Sequence, residues 1–409
     1  MPDPSSLAGA SLGRRLRALP RSAWILCLGM FISKFGNFLN VFLVLYLTAQ
    51  GHSAFLAGVA LGAVGLGSFL GNAVGGTVAD TLGRRTAIVI SMFGATVFTV
   101  IVPVLTNIWL IIGTVVLVGL FGQLYRPAAG AILVDSVPAE LRLTAFTMLR
   151  MCLNVGMSVG PLVGGLLSGY SYTLLFIGNG IALSAFGLLA LLMLPETRPS
   201  PDHDAPASSR GEGYGAVLRD RAMVMYLVSM FAVSYAYVQT TATMPLHVRD
   251  NGMDNSFYGL LLGLNALLCV VLELPLVRHL ERHNARHVIA LGIVLVGLGV
   301  GATGFVSGKA ALAVTVVIWT LGEVIYTPVS TTYPGMLAPE HLRGRYQGAE
   351  GVAVTLAQAA GPALGGLTYA ASTDLHWLSC AIVSSIGVIA ILLARHERIE
   401  SVHTAEVAK

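Results

Sequence analysis

Gly160-Pro161-Leu162-Val163-Gly164-Gly165 and Gly361-Pro362-Ala363-Leu364-Gly365-Gly366 stand 201 residues apart in one chain. Upstream, Val137-Pro138-Ala139-Glu140-Leu141-Arg142 and Ala338-Pro339-Glu340-His341-Leu342-Arg343 keep the same offset, as do Gly51 and Gly252. An offset that holds across a whole segment is the mark of duplication, so the chain reads as two copies of one unit in parallel order, an arrangement that puts any central site where the copies meet.

Composition says what the unit is made of. Of 409 residues, 55% are apolar and 11% charged, a balance that no water-facing surface of this length tolerates. Apolar runs of about 20 residues, each able to cross roughly 30 Å of hydrocarbon, alternate with short polar links. The runs are continuous rather than alternating, which selects helices over barrel strands. We read spans at 24–49, 55–79, 86–105, 108–134, 144–169 and 172–194, then at 222–247, 256–278, 287–306, 310–335, 347–370 and 375–394. The expected fold is an all-α membrane protein of twelve transmembrane helices in two pseudo-symmetric six-helix bundles, residues 24–194 and 222–394. A linker at 195–221, rich in proline, serine and charge, joins them, and tails occupy 1–23 and 395–409. Residues 1–23 carry Arg14, Arg15, Arg17 and Arg21 but no apolar core, so no cleavable signal is expected there.

Basic residues set the orientation. Arg84, Arg85, Arg142, Arg219, Arg221, Arg286, Arg345 and others fall on the side of the N-terminal tail, against Arg249 and Lys309 opposite. Both termini are therefore expected in the cytoplasm. Arginine far outnumbers lysine (Lys34, Lys309 and Lys409), which with abundant alanine and glycine points to a GC-rich bacterial genome and a bacterial inner membrane. A formal net charge of +4 is accounted for by this asymmetry beside anionic lipid, with no nucleic-acid partner implied.

Little points to bond-making chemistry. Cys27, Cys152, Cys269 and Cys380 each lie in a predicted span without paired spacing, so free thiols are expected. His279, His283 and His287 recur four apart on a possible helical extension, and read as a solvated basic face rather than a metal site. No phosphate-binding loop with lysine and no nucleophile motif is present, so neither an enzyme nor direct ATP coupling is expected. Energy would come from a proton gradient, with no cofactor, and the partners would be a small-molecule substrate, protons and membrane lipids.

Charges inside spans are costly, at about 2.5–3.5 kcal/mol each, and so mark function. Glu323 stands near the middle of its span between Trp319 and Tyr326, where desolvation favours the neutral acid, and is the first candidate for a proton carrier. The alternative is a permanent ion pair with Lys34 or Arg126. Arg126 keeps its charge and can drive a proton from a nearby carboxyl. Glu273 and Asp135 are the further acidic candidates, although Asp135 and Glu350 sit close enough to a span end to be wetted. Lys34, Asn37 and Asn40 share a helical face. With Gln123, Tyr125, Tyr235, Tyr237, Gln239, Asn265, Trp319 and Tyr326 they are candidates to line a substrate cavity.

Between the second and third spans stands Gly76-Thr77-Val78-Ala79-Asp80-Thr81-Leu82-Gly83-Arg84-Arg85. It resembles the hallmark loop of the major facilitator superfamily at each defining position, Gly76, Asp80, Gly83, Arg84 and Arg85. In that family the loop acts as a conformational latch, with Asp80 here expected to pair with arginines. The second copy has Glu281, Ala285 and Arg286 instead, a degraded version. Arg126-Pro127-Ala128-Ala129-Gly130 is similar to the family's fourth-helix arginine motif. Gly156, Gly160, Pro161, Gly164 and Gly165 resemble the fifth-helix signature of its antiporter branch, with glycines four apart for close helix approach. The resemblance spans nearly the whole chain and is nearest to the twelve-span drug:proton antiporters, which implies a monomer exporting small amphipathic compounds by alternating access. Many drug antiporters carry an acid in the first span. Lys34 departs from that, and leaves open an anionic or zwitterionic substrate, uptake rather than export, or lipid translocation.

Overall fold

A computed structural model describes residues 16–196, 214–280, 283–339 and 342–394, and every regular element among them is a helix. In the first copy of the repeat these are α1 (Arg21–Phe35), α2 (Phe38–Ala49), α3 (Ala54–Leu82), α4 (Arg84–Ile101), α5 (Ile108–Ser136), α6 (Ala139–Ser168) and α7 (Tyr172–Met193). In the second they are α8 (Tyr214–Arg219), α9 (Arg221–Ala242), α10 (Met244–Asp250), α11 (Asn255–Leu280), α12 (Ala285–Ala302), α13 (Lys309–Ser330), α14 (Tyr333–Leu337), α15 (Arg343–Ala371) and α16 (Thr373–Leu393). Eleven of the spans these build are long and apolar enough to cross a membrane. The remaining one, α15, has 29 residues but starts with Arg343 and Arg345 and carries Glu350, which dilutes its hydropathy.

Packing reproduces the duplication. α4 lies against α5 and α7 as α12 lies against α13 and α16, and α1 packs on α6 and α7 as α9 packs on α15 and α16. Even turn chemistry repeats. Gly51 (φ 89°) and Gly252 (φ 71°) take the left-handed conformation that stops α2 and α10. In each case the next residue's N–H closes back five residues, His52 to Leu47 O and Met253 to Val248 O, both at 3.1 Å. This six-to-one closure is the glycine-dependent stop that satisfies orphan carbonyls at a helix end.

Contacts divide the chain into two compact units. Unit 1 holds the described residues of Met1–Tyr46, Ala63–His203 and Asp254–Ala266; unit 2 holds those of Leu47–Gly62, Asp204–Met253 and Leu267–Lys409. The repeat boundaries at 24–194 and 222–394 thus differ from the packing units by two exchanged segments, the end of α2 with the start of α3, and the start of α11. Small residues explain the exchange. Within unit 2 a Cβ at Gly58 would collide with Pro362 O, and one at Gly366 would stand 3.0 Å from Phe55 Cα. Within unit 1 a Cβ at Gly259 would collide with Pro161 O, and one at Gly165 would lie 3.1 Å from Ser256 Cα. Gly58 and Gly259, like Pro161 and Pro362, are repeat equivalents, so one backbone-to-backbone contact is built twice. With lipid as solvent, such close approach is what drives helices together.

Candidate functional site

In unit 1 the first span is broken. α1 stops at Phe35 and α2 starts at Phe38, leaving Gly36 and Asn37 between them. Glycine carries a high entropic cost in a helix and asparagine's side chain competes for backbone partners, so the apolar run gives way here. Backbone groups freed at membrane depth need an internal partner. Asn179 of α7 supplies one, accepting from the buried Leu39 N–H at 3.1 Å.

A small polar cavity of about 40 Å³ surrounds the break, lined among others by Ser33, Lys34, Asn37, Asn40, Thr99 and Gln123. That is room for about three waters. Asn40 Nδ2 donates to Asn37 Oδ1 at 2.7 Å. Asn40 Oδ1 and Thr99 Oγ1 are buried with no hydrogen-bond partner among the described residues. Lys34 feels the like charge of Arg126, and neither forms an ion pair among the described residues. Unit 1 therefore presents the Lys34 cation beside amides and hydroxyls, a lining matched to negative charge or to the negative end of a dipole, while the exposed Arg126 stands outside that lining. The glycines of α6 hold this helix in place. A Cβ at Gly156 would stand 3.0 Å from Lys34 Cβ, one at Gly160 would collide with Phe35 O, and one at Gly164 would lie 2.6 Å from Phe42 Cε2.

Unit 2 carries the opposite charge. Glu323 is the central residue of the 29-residue span Lys309–Leu337. Tyr237 of α9 donates its hydroxyl to Glu323 Oε1 at 2.9 Å, and Cys269 Sγ of α11 stands 3.7 Å from Oε2. Trp319, one turn earlier, is 1% exposed and meets Tyr237 edge-on at 5.6 Å. Tyr326 is half-buried and close enough to interact with Glu323 electrostatically. Glu273 on α11 is half-buried, as is Asn265 nearer the start of that helix, in the segment that belongs to unit 1.

Several expectations need correction. Tyr125 is 2% exposed and stacks edge-on with Phe186 at 5.9 Å, in the apolar core of unit 1 rather than a cavity. Two residues from Gln123 on α5, it lies about 200° around the helix from that cavity-lining side chain. Gln239 is fully buried, donating to Tyr235 O at 3.1 Å and Gly361 O at 3.0 Å, and its amide fills the place of a side chain at Gly365. It joins α9 to α15. Tyr235, 7% exposed, turns its hydroxyl toward Thr368 and Ser379. His279, His283 and His287 share no helix, since α11 ends at Leu280 and α12 begins at Ala285. The side chain of His279, like Glu281, lies outside the described residues. Among those residues no group of three His, Cys, Asp or Glu could hold a metal.

The latch loop is assembled differently from its reading. Asp80 is exposed and makes no ion pair among the described residues; Arg84 pairs instead with Asp135 of α5 and donates to Ala131 O at 3.3 Å. Asp135 thus belongs to the loop's ion pair. Glu196, just past α7, accepts from the N–H groups of Arg85 and Thr86 at 3.1 and 3.2 Å, and from Thr86 Oγ1 at 2.8 Å. A carboxylate at the first turn of α4 answers its orphan N–H groups and its dipole. Gly83 (φ 98°) makes this possible, because a Cβ there would run into the Glu196 carboxylate. Gly76 has no such duty: its Cβ position is open, and the close contact is at Gly75.

The profile of the Major Facilitator Superfamily matches residues 26–254 and 240–408. The chain belongs to that superfamily. It is 27% identical over 354 residues to the uncharacterized MFS-type transporter YqjV of Bacillus subtilis, covering 84% of this chain and 85% of that one. To the multidrug resistance protein MdtH of Shigella sonnei it is 25% identical over 357 residues, covering 85% and 87%. The crystal structure of the nucleoside transporter NupG superposes with a TM-score of 0.80 at 14% identity, covering 92% of this chain and 100% of that one; that likeness concerns the fold. As a superfamily member the chain is a multi-pass membrane transporter for a small molecule, and not an enzyme.

Proposed function

We propose that this transporter exports small amphipathic compounds, drugs and antibiotics among them, in exchange for protons across a bacterial inner membrane, with both termini cytoplasmic. The observation that carries the reading is a protonatable carboxyl at the exact-centre position of a span: Glu323, hydrogen-bonded by Tyr237 and bordered by Cys269, Trp319 and Tyr326. Such a group binds a proton or yields it according to what else occupies its surroundings. The aromatic groups beside it suit an apolar substrate, and relatives named multidrug resistance proteins lend support. Transport would run by alternating access of a monomer, driven by the gradient without a cofactor.

The test is accumulation of a panel of fluorescent amphipathic compounds in pump-deficient bacteria expressing the wild type or Glu323→Gln, with and without a protonophore. Lower accumulation that both treatments abolish supports coupling through Glu323. Lower accumulation that survives the substitution moves the proton site to Glu273 or elsewhere. A second reading is favoured by Lys34: the cation-and-amide cavity of unit 1 suits an anionic or zwitterionic solute, taken up or exchanged, and no change for any dye would point there.

A further inference from the structure

Among the acids named so far, Asp135 and Glu196 have their roles in the latch loop and Glu323 in its own cluster. Glu350 has none, and its surroundings pose a problem of hydrogen counting. It lies on α15 in unit 2, half-buried. Tyr226 of α9, fully buried, places its hydroxyl oxygen 2.7 Å from Glu350 Oε1 and 2.8 Å from the carbonyl oxygen of Ser330, the last residue of α13. Both distances are those of good O–H···O bonds. A tyrosine hydroxyl owns one hydrogen, and an ionised carboxylate and a carbonyl are both acceptors only. With Glu350 ionised, two short contacts would share one hydrogen and one would be lone pair against lone pair.

We propose that Glu350 is a proton-binding site, occupied in this state: the carboxylic acid donates to Tyr226 Oη, and Tyr226 in turn donates to Ser330 O. Each short contact then has its hydrogen, and the chain of two bonds ties α9, α13 and α15 together through the orphan carbonyl that ends α13. The titratable groups facing Glu350 are phenols: Tyr226 on α9 and Tyr326 on α13, which senses its charge; behind Tyr226 lies Tyr333 on α14, its ring tilted at 5.1 Å. Among the described residues no cation pairs with it. On the same helix Tyr346 points elsewhere, donating to Asp220 at 2.9 Å. Loss of the proton to water turns the acid into a carboxylate and leaves two acceptors competing for Tyr226, which weakens the tie between the three helices. Glu350 is thereby a protonation-sensitive joint in unit 2, separate from Glu323.

The inference goes beyond the export reading and stands without it, because its test needs no substrate. The full chain reconstituted in lipid is examined by infrared difference spectroscopy at neutral and alkaline pH, in H₂O and D₂O. The expected result is a deuterium-sensitive carboxylic C=O band at neutral pH that persists in Glu323→Gln, is lost in Glu350→Gln, and shifts in frequency in Tyr226→Phe, where the carboxyl remains but its acceptor is gone. If Glu350→Gln does not fold, Tyr226→Phe and the alkaline titration of Glu323→Gln still decide. Absence of a protonated band in Glu323→Gln at neutral pH would overturn the proposal, as would a band indifferent to both Glu350→Gln and Tyr226→Phe. Failure of dye export with the band intact would sink the export reading alone.

Discussion

Position 34 in unit 1 is a lysine on a broken helix, lining a cavity of amides and hydroxyls; its repeat equivalent in unit 2 is Tyr235, buried against Thr368 and Ser379. Arg126 has Thr327 as its counterpart, Glu323 has Gly122, and Glu350 has Leu149. The glycines tell the opposite story. Gly160 and Gly361, and Gly164 and Gly365, face the first span of their own repeat in both copies, and Gly58 and Gly259 press on the carbonyls of Pro362 and Pro161. Positions that set how close two backbones come have stayed paired, because each contact needs both members. Positions that carry charge have diverged into a cationic lining in unit 1 and an acid-and-phenol lining in unit 2.

The largest effect should come from breaking that chemical asymmetry. Glu323→Gln is expected to reduce export of every tested compound to the level of cells lacking the transporter, whereas Lys34→Gln changes which compounds are exported. Its loss for anionic members of the panel should be about tenfold, the size of one charge-assisted hydrogen bond of about 1.5 kcal/mol. Uniform loss in Lys34→Gln would show that the two units do not divide proton and substrate chemistry between them. On the scaffold side, Gly160→Leu and Gly361→Leu should each lower thermal stability in detergent by about 1–3 kcal/mol, since Phe35 O blocks the first and Val238 Cγ1, at 2.6 Å, the second. A large cost in one and none in the other would break the equivalence of the two copies.

Much of this was legible in advance. The constant offset and the apolar runs locate the helices and their repeat equivalents, since period and length alone determine them. The break at Gly36 and Asn37 was not, because hydropathy runs straight through it and only the two weak helix formers announce it. Tyr125 and Gln239 lie in packed interiors for one reason: residue type suggests a cavity, but rotation about the helix axis decides, and Gln239 is turned inward by a glycine on α15 with room for its amide. The exchange of segments between units was hidden because an offset identifies equivalent positions without saying which copy they touch. Glu196 falls by composition in the polar linker at 195–221, yet an acid next to Pro195 just beyond a span is itself a cue to a capping role. Glu196→Ala is expected to cost about 1 kcal/mol, read as a fall in melting temperature, by removing the acceptor from the first turn of α4.

The smallest effect offers the sharpest contrast within one loop motif. Gly75 and Gly76 are neighbours on α3, but a Cβ at Gly75 would press on the carbonyl of Leu124 and stand 3.2 Å from Pro127 Cδ, while one at Gly76 would meet nothing within 4 Å. Helix propensity alone favours alanine over glycine by roughly 0.5–1 kcal/mol at either site. Gly76→Ala should therefore leave thermal stability unchanged or slightly raised, and Gly75→Ala should lower it despite the same propensity gain, because α3 must back away from α5. If Gly76→Ala preserves stability but slows export, the motif glycine serves a conformation in which that open side is filled, and the requirement belongs to transport rather than to folding. If it preserves both, close packing at this end rests on Gly75, together with Gly71 and Gly67 along the same face, whose Cβ positions fall on Leu120 O and Val116 O.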